Sequence, residues 1–233
     1  AHEYLAPAWR PRYVNEVRRE MAEIGLAPVG SATLRDNFDN FVLRKAAREA
    51  LAEIEDPDHR ELIRDYFKFQ RFRRDVYGRA VPALDDDDRR SRLLATSFAL
   101  MRPVKLVEFK MATDAGELGY DNPVAHHIVA RLWEGPQTLQ DCVGPGMSEQ
   151  DAIANALSLC CAGTITPAGR PAPVDRVNRA LAEHLDAGTE TSLRVLPWGT
   201  ALRFGGPILK ALRDDKDVPE SARPWVEFLK KLG

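Results

Sequence analysis

The sequence predicts an α+β protein that is mostly α. A helical region would run over 1–96, a winged-helix-like unit over 97–172, and a small helical region over 173–233 packed on the unit before it. Three observations carry this. Apolar residues recur at three- and four-residue spacing between capping residues through most of the chain. The apolar runs able to form strands are short and broken by Pro or Gly. Residues 97–172 follow the order helix, short helix, helix, strand, loop, and 233 residues leave room for more than one domain.

Taken in order, Pro11 can open a helix, and Val14, Val17, Met21 and Ile24 give it an apolar stripe that Gly25 closes. Residues 27–34 read as a short strand or loop and 37–39 as a turn. A helix over 44–54 follows, with Asp56–Pro57 marking its end. Asp58 then suits the N-cap of the next helix, with Glu61 supporting its first turn.

That helix runs into residues 64–79, RDYFKFQRFRRDVYGR, the most distinctive stretch of the chain. It interleaves Tyr66, Phe67, Phe69, Phe72 and Tyr77 with Arg64, Lys68, Arg71, Arg73, Arg74 and Arg79. Helical spacing places Leu62, Tyr66, Phe69, Arg73 and Val76 on one face, which predicts helix to about Gln70 and an extended run through Tyr77. The rings are expected in a core, with the guanidinium groups along its rim. Asp36, Asp39 and the acidic run 85–88 are the candidate partners for those cations. The competing reading is a basic surface for an acidic partner or nucleic acid.

The run 85–88 suits a helix N-terminus and lacks the alternating ligands and glycine turn of a calcium loop. After it, 97–120 predicts two short strands joined by a turn at Ala115–Gly116. Pro123 opens a helix bearing Val124, Ile128, Leu132 and Trp133, a brief helix covers 138–142, and Ser148 caps a helix that ends at Gly163. A strand over 164–166, a loop, a helix over 173–184, a turn at 188–191, short apolar pieces over 195–204 and helices over 207–213 and 223–232 complete the expectation.

Composition narrows the function classes. A net charge of −2 disfavours a generally nucleic-acid-binding or membrane-surface protein. No apolar run approaches the ~20 residues of a membrane span, and no signal segment opens the chain. Cys142, Cys160 and Cys161 are an odd number at spacings unlike a disulfide framework, so a cytoplasmic location is expected.

No catalytic constellation emerges. His126 and His127 are adjacent and point about 100° apart on a helix, unlike a zinc-binding pair one turn apart. Cys160 and Cys161 read as core cysteines rather than a vicinal disulfide. The chain has no G-x-S-x-G elbow, no phosphate-binding loop and no Gly-rich dinucleotide turn. No catalytic, cofactor-binding or metal-binding residue is therefore expected.

The stretches HEYLAPAWRPRYVNEV, GSATLRDNFD (30–39) and RDYFKFQRFRRDVYGR resemble the methyltransferase regulatory domain family, which takes in rickettsial protein lysine methyltransferases. The matching motifs cover 1–96. The resemblance implies a non-catalytic regulatory and substrate-recognition module, with the S-adenosylmethionine-dependent domain preceding residue 1. S-adenosylmethionine would then bind that domain and no cofactor would bind here. The expected partners are that methyltransferase domain and a protein substrate, with a homo-oligomer also open; nucleic acid and membrane are not expected. Tyr4, Trp9, Arg10, Arg12, Arg71, Arg73, Arg74 and Asp75 are the candidate contact residues. The rival readings are a winged-helix transcription regulator and a self-associating interaction module.

The sequence also weighs against the first rival. The helix that would enter a major groove, 148–161, carries Glu149 and Asp151 and no Lys or Arg, whereas groove binding draws on neutralised phosphates. Mobility-shift assays should therefore show no salt-sensitive duplex binding that disappears when this helix is altered.

Overall fold

The computed structural model describes residues 10–184, 191–205, 208, 218 and 220–232. The chain is α+β and mostly helical. It divides into two compact units, one of residues up to Ala83 together with Ala112–Leu118, the other of Leu84–Met111 and the chain from Gly119 onward.

In the first unit, helix α1 (Val14–Glu23) starts after Tyr13, whose amide donates to Glu16 Oε2 at 2.9 Å. Glu16 rather than Pro11 thus fixes the start. Gly25, at φ +75°, turns the chain out of the helix. Strand β1 (Ala27–Ser31) pairs antiparallel with β2 (Asp75–Gly78), with a register shift between Pro28 and Gly30. A 3-10 turn at Leu34–Asn37 leads into α2 (Asp39–Val42), where the sequence predicts only a turn; α2 buries Phe41 and Val42. Helices α3 (Lys45–Ala52) and α4 (Pro57–Lys68) follow. Asp56, not Asp58, caps α4. Its carboxylate accepts from the His59 amide at 2.7 Å, and Pro57 holds the first helical position, where its missing N–H is not needed.

The expectation for 64–79 is right about the backbone and wrong about the side chains. Helix α4 ends at Lys68 and β2 begins at Asp75, but the rings of Tyr66, Phe67, Phe69 and Phe72 are exposed while Arg64 is buried. The inward face of α4 is the charged stripe Glu61, Arg64, Asp65 and Lys68, spaced i, i+3, i+4, i+7. The aromatic stripe takes the outside.

One family-like stretch has a plain structural role. Asn37 folds its amide back on β1: Oδ1 accepts from the Ser31 amide at 2.7 Å, and Nδ2 donates to the carbonyls of Ser31 and Leu34 at 2.9 and 3.0 Å. Gly30 leaves the room for this, since a Cβ there would sit 2.7 Å from Asn37 Oδ1.

The second unit begins with α5 (Asp86–Ala95), capped by Asp85, and β3 (Ser97–Leu100). A 3-10 turn at Val104–Leu106 comes next, then a hairpin of β4 (Lys110–Thr113) and β5 (Gly116–Gly119), one strand more than predicted, whose residues 112–118 belong to the first unit. Helix α6 (Pro123–Trp133), β6 (Gln137–Thr138), α7 (Glu149–Cys161) and β7 (Ile165–Pro167) follow, with β3 central in an antiparallel sheet of order β6-β3-β7. The expected helix at 138–142 is a 3-10 turn, Gln140–Cys142. Phe98 and Leu100, Ile128, Val129 and Leu132, and Ala156 and Leu159 fill the core between sheet and helices. Helix α8 (Asp175–His184), the pair β8 (Thr191–Val195) and β9 (Ala201–Gly205), and α9 (Arg223–Leu232) complete the chain. Buried Asn178 on α8 pairs with both backbone groups of Val195 at 2.8 and 2.9 Å. The predicted helix over 207–213, apart from residue 208, and the start of the turn at 188–191 lie outside the described residues. Among the described residues no helix is long and apolar enough to cross a membrane.

Gly30→Ala would force Asn37 to give up three hydrogen bonds, each contributing about 1 kcal/mol net. Thermal unfolding followed by circular dichroism should show it destabilised by about 1–3 kcal/mol. Gly119→Ala, whose added Cβ meets nothing within 4 Å, should be close to neutral.

Candidate functional site

The site grows from Arg73, between α4 and β2. Its Nη1 donates to Asp65 Oδ1 at 2.6 Å, its Nη2 to Glu61 Oε1 at 2.7 Å, and its Nε to Asp75 Oδ2 at 2.8 Å. One planar guanidinium therefore ties two turns of a helix to a strand, which Lys could not do with a single point charge. Glu61 is also approached by Arg18 of α1 at 3.5 Å and by Arg64 at 3.6 Å. Beside this cluster Arg64 pairs with Asp39 at 2.6 Å and donates to the Asp36 carbonyl, and Lys68, its side chain 3% exposed, pairs with Asp36 at 3.0 Å. Asp36 and Asp39 are thus partners, as the sequence suggests. The run 85–88 pairs on its own helix instead, Asp86 with Arg89 and Asp87 with Arg90.

The cluster sets its own charge states. Burial raises the Glu61 carboxyl, but the hydrogen bond from Arg73 and the charges of Arg73, Arg64 and Arg18 outweigh it, and the net shift is downward. Asp65 moves the other way: burial, aided by Glu61, prevails over Arg73. Burial would weaken the hold of Arg73 on its proton, yet the bonds to Asp75 and Glu61 and the charge of Asp65 reverse that, so its pKa is raised.

Arg73 lines two recesses. One, of about 370 Å³, is polar and reaches from Gly30 and Asn37 to Arg60, Arg64 and Lys68. The other, of about 700 Å³, is a groove between the approach to α1 and the end of α4. Tyr13 (57% exposed), Tyr66 (57%), Phe69 (88%) and Phe72 (65%) line it. The Tyr13 and Tyr66 ring centres lie 6.5 Å apart. Phe69 sits in the left-handed region at φ 50°, a conformation that costs a non-glycine residue roughly 1 kcal/mol or more.

Among the predicted contact residues, Arg10, Arg12, Arg71, Arg73 and Asp75 all line this groove. Arg74 does not; its Nη2 donates to Thr33 Oγ1 at 2.8 Å. Tyr4 and Trp9 lie outside the described residues. Tyr13, Tyr66, Phe69 and Phe72 are the groove residues that sequence reasoning misplaced or passed over. The charged spacing Glu61, Arg64, Asp65, Lys68 on α4 was the signal that could have found them.

Elsewhere the chemistry is quiet. Among the described residues no three His, Cys, Asp or Glu side chains are grouped to hold a metal ion. His126 bonds Asp121 at 2.7 Å and stacks on Phe109 at 3.8 Å between ring centres. Cys142, Cys160 and Cys161 form no disulfide with one another; burial pushes Cys142 up to about 11 and Cys160 up to about 12, which keeps those two protonated.

Residues 1–79, the stretch that builds both recesses, match the family described as a predicted methyltransferase regulatory domain, which bears out the resemblance read from the three motifs. An uncharacterized protein of Synechocystis, sll1526, is 37% identical over 139 residues, 60% of this chain and 28% of that protein. The structure of PKMT2 from Rickettsia typhi in complex with AdoHcy is similar over 99% of this chain and 51% of its own, with a TM-score of 0.55 at 13% identity. A second PKMT2 structure matches over 98% and 58%, with a TM-score of 0.55 at 11% identity. At such identities the likeness is one of fold, and this chain spans about half the length of those solved chains.

Replacing Arg73 by Met leaves Glu61, Asp65 and Asp75 facing one another. At pH 7 the loss should be about 3 kcal/mol, the lower end for a buried charge stripped of its partner. The deficit should narrow on acidification for two reasons. The native protein loses the Glu61 contribution as pH falls through a pKa below that of the unfolded chain, while the variant regains stability as its crowded carboxyls take up protons. Urea unfolding at pH 7 and pH 4 measures both.

Proposed function

We propose that this chain is the non-catalytic regulatory and substrate-recognition part of an S-adenosylmethionine-dependent protein methyltransferase, whose catalytic domain lies in the parent polypeptide outside these 233 residues. The aromatic groove is its working face. There it contacts the methyltransferase domain or the protein to be methylated. The observation that carries the reading is the coincidence of the family match over 1–79 with the segment that builds the groove. Four exposed rings in one recess are more than the scattered apolar residues of an ordinary surface, and such patches mark interaction sites. The similarity in fold to about half of a methyltransferase solved with AdoHcy supports the same reading.

Calorimetry should show no tight binding of S-adenosylmethionine to this chain, whereas the longer polypeptide should bind it and transfer methyl groups. In the longer polypeptide Phe72→Ala should change the methylation rate at least several-fold with unchanged affinity for S-adenosylmethionine. Tight cofactor binding by this chain alone would overturn the proposal.

A further inference from the structure

We infer that the groove takes a short peptide segment bearing carboxylates beside aromatic or large aliphatic side chains. The inference rests on the groove being the working face and names what it recognises there.

Of the four arginines lining the groove, Arg12 pairs with Glu20 and Arg73 with three carboxylates. Arg10 and Arg71 meet no carboxylate among the described residues. Asp65 and Asp75 also line the groove, but both are held by Arg73. Four arginines against two aspartates leave the lining with an excess of positive charge, and Arg10 and Arg71 are placed to take a visitor's carboxylates in planar, two-point contact.

The walls supply the rest. Rings of Tyr13, Tyr66, Phe69 and Phe72 stand open to solvent, and Phe69 is held there on a left-handed backbone by the end of α4. Strain of that kind persists where the surroundings impose it and is a pointer to function. A volume of about 700 Å³ suits several side chains rather than a globular surface. A lysine or methylated lysine is disfavoured among these rings, because Arg10 and Arg71 repel a cation. Nucleic acid is disfavoured because two guanidinium groups, unpaired among the described residues, neutralise few phosphates.

The test is fluorescence polarisation on this chain with an acetylated, amidated octapeptide alternating Glu and Phe. Alternating Lys and Phe, alternating Glu and Gly, and a short oligothymidylate serve as comparisons. The Glu–Phe peptide should bind at least tenfold more tightly than each of these, and more weakly as salt rises. Arg71→Glu should cost at least tenfold and shift preference toward the Lys–Phe peptide. Phe69→Gly relieves the left-handed strain, so it should melt no lower than the native chain and yet lose at least fivefold in binding, which a folding defect cannot imitate. Equal binding of the Lys–Phe peptide, tighter binding of the oligonucleotide, or indifference to Arg71→Glu and Phe69→Gly would overturn the inference. So would a mass in sedimentation that doubles with concentration and reverts in Phe72→Ala, since the occupant would then be a second copy. If the peptide fails while Phe72→Ala still alters methylation by the longer polypeptide, this inference falls and the reading beneath it stands.

Discussion

A single guanidinium holding three carboxylates is the constraint on which the first unit depends. Glu61 and Asp65 sit one helical turn apart on α4 and would repel each other and Asp75 without Arg73 between them. With Arg73 in place, the same three acids become anchors that fix where the extended stretch after α4 lies against the helix. Buried ion pairs generally add little to stability beyond what apolar packing gives, and contribute instead through the cost of disrupting them. Here they fix the rotation of α4, which decides which of its faces meets solvent.

That rotation explains why aromatic residues, the strongest formers of cores, line an open groove. An amphipathic helix usually buries its apolar stripe because water rejects it. Helix α4 carries two competing stripes, one aromatic and one charged, and the charged one finds matched partners in Asp36, Asp39 and Arg73. Once those charges are paired, leaving them is costly. The rings are left with nothing among the described residues of this unit to cover them.

The elements themselves were legible from local chemistry. Caps at Asp85 and Ser148, the glycine at 25 and the break near Gln70 all mark boundaries that a few neighbouring residues decide. What could not be read was the orientation of α4, because its salt partners lie 25 to 32 positions away or arrive from the following loop. Periodicity ranks faces by hydrophobicity alone and is blind to distant counter-charges. The same limit hid Gly30, whose reason is the Asn37 amide seven residues later. Of the groove, the arginines were visible as a cluster, but which were spent on internal pairs was not.

The burial of Lys68 has a consequence for any enzyme that modifies lysine. Its ammonium, closed off by Asp36 with the side chain 3% exposed, leaves no path for an incoming electrophile, whereas Lys45 stands 82% open on α3. If this polypeptide is ever a recipient of its own chemistry, the mark will fall on amines such as Lys45, and Lys68 will acquire it only in molecules whose first unit has come apart.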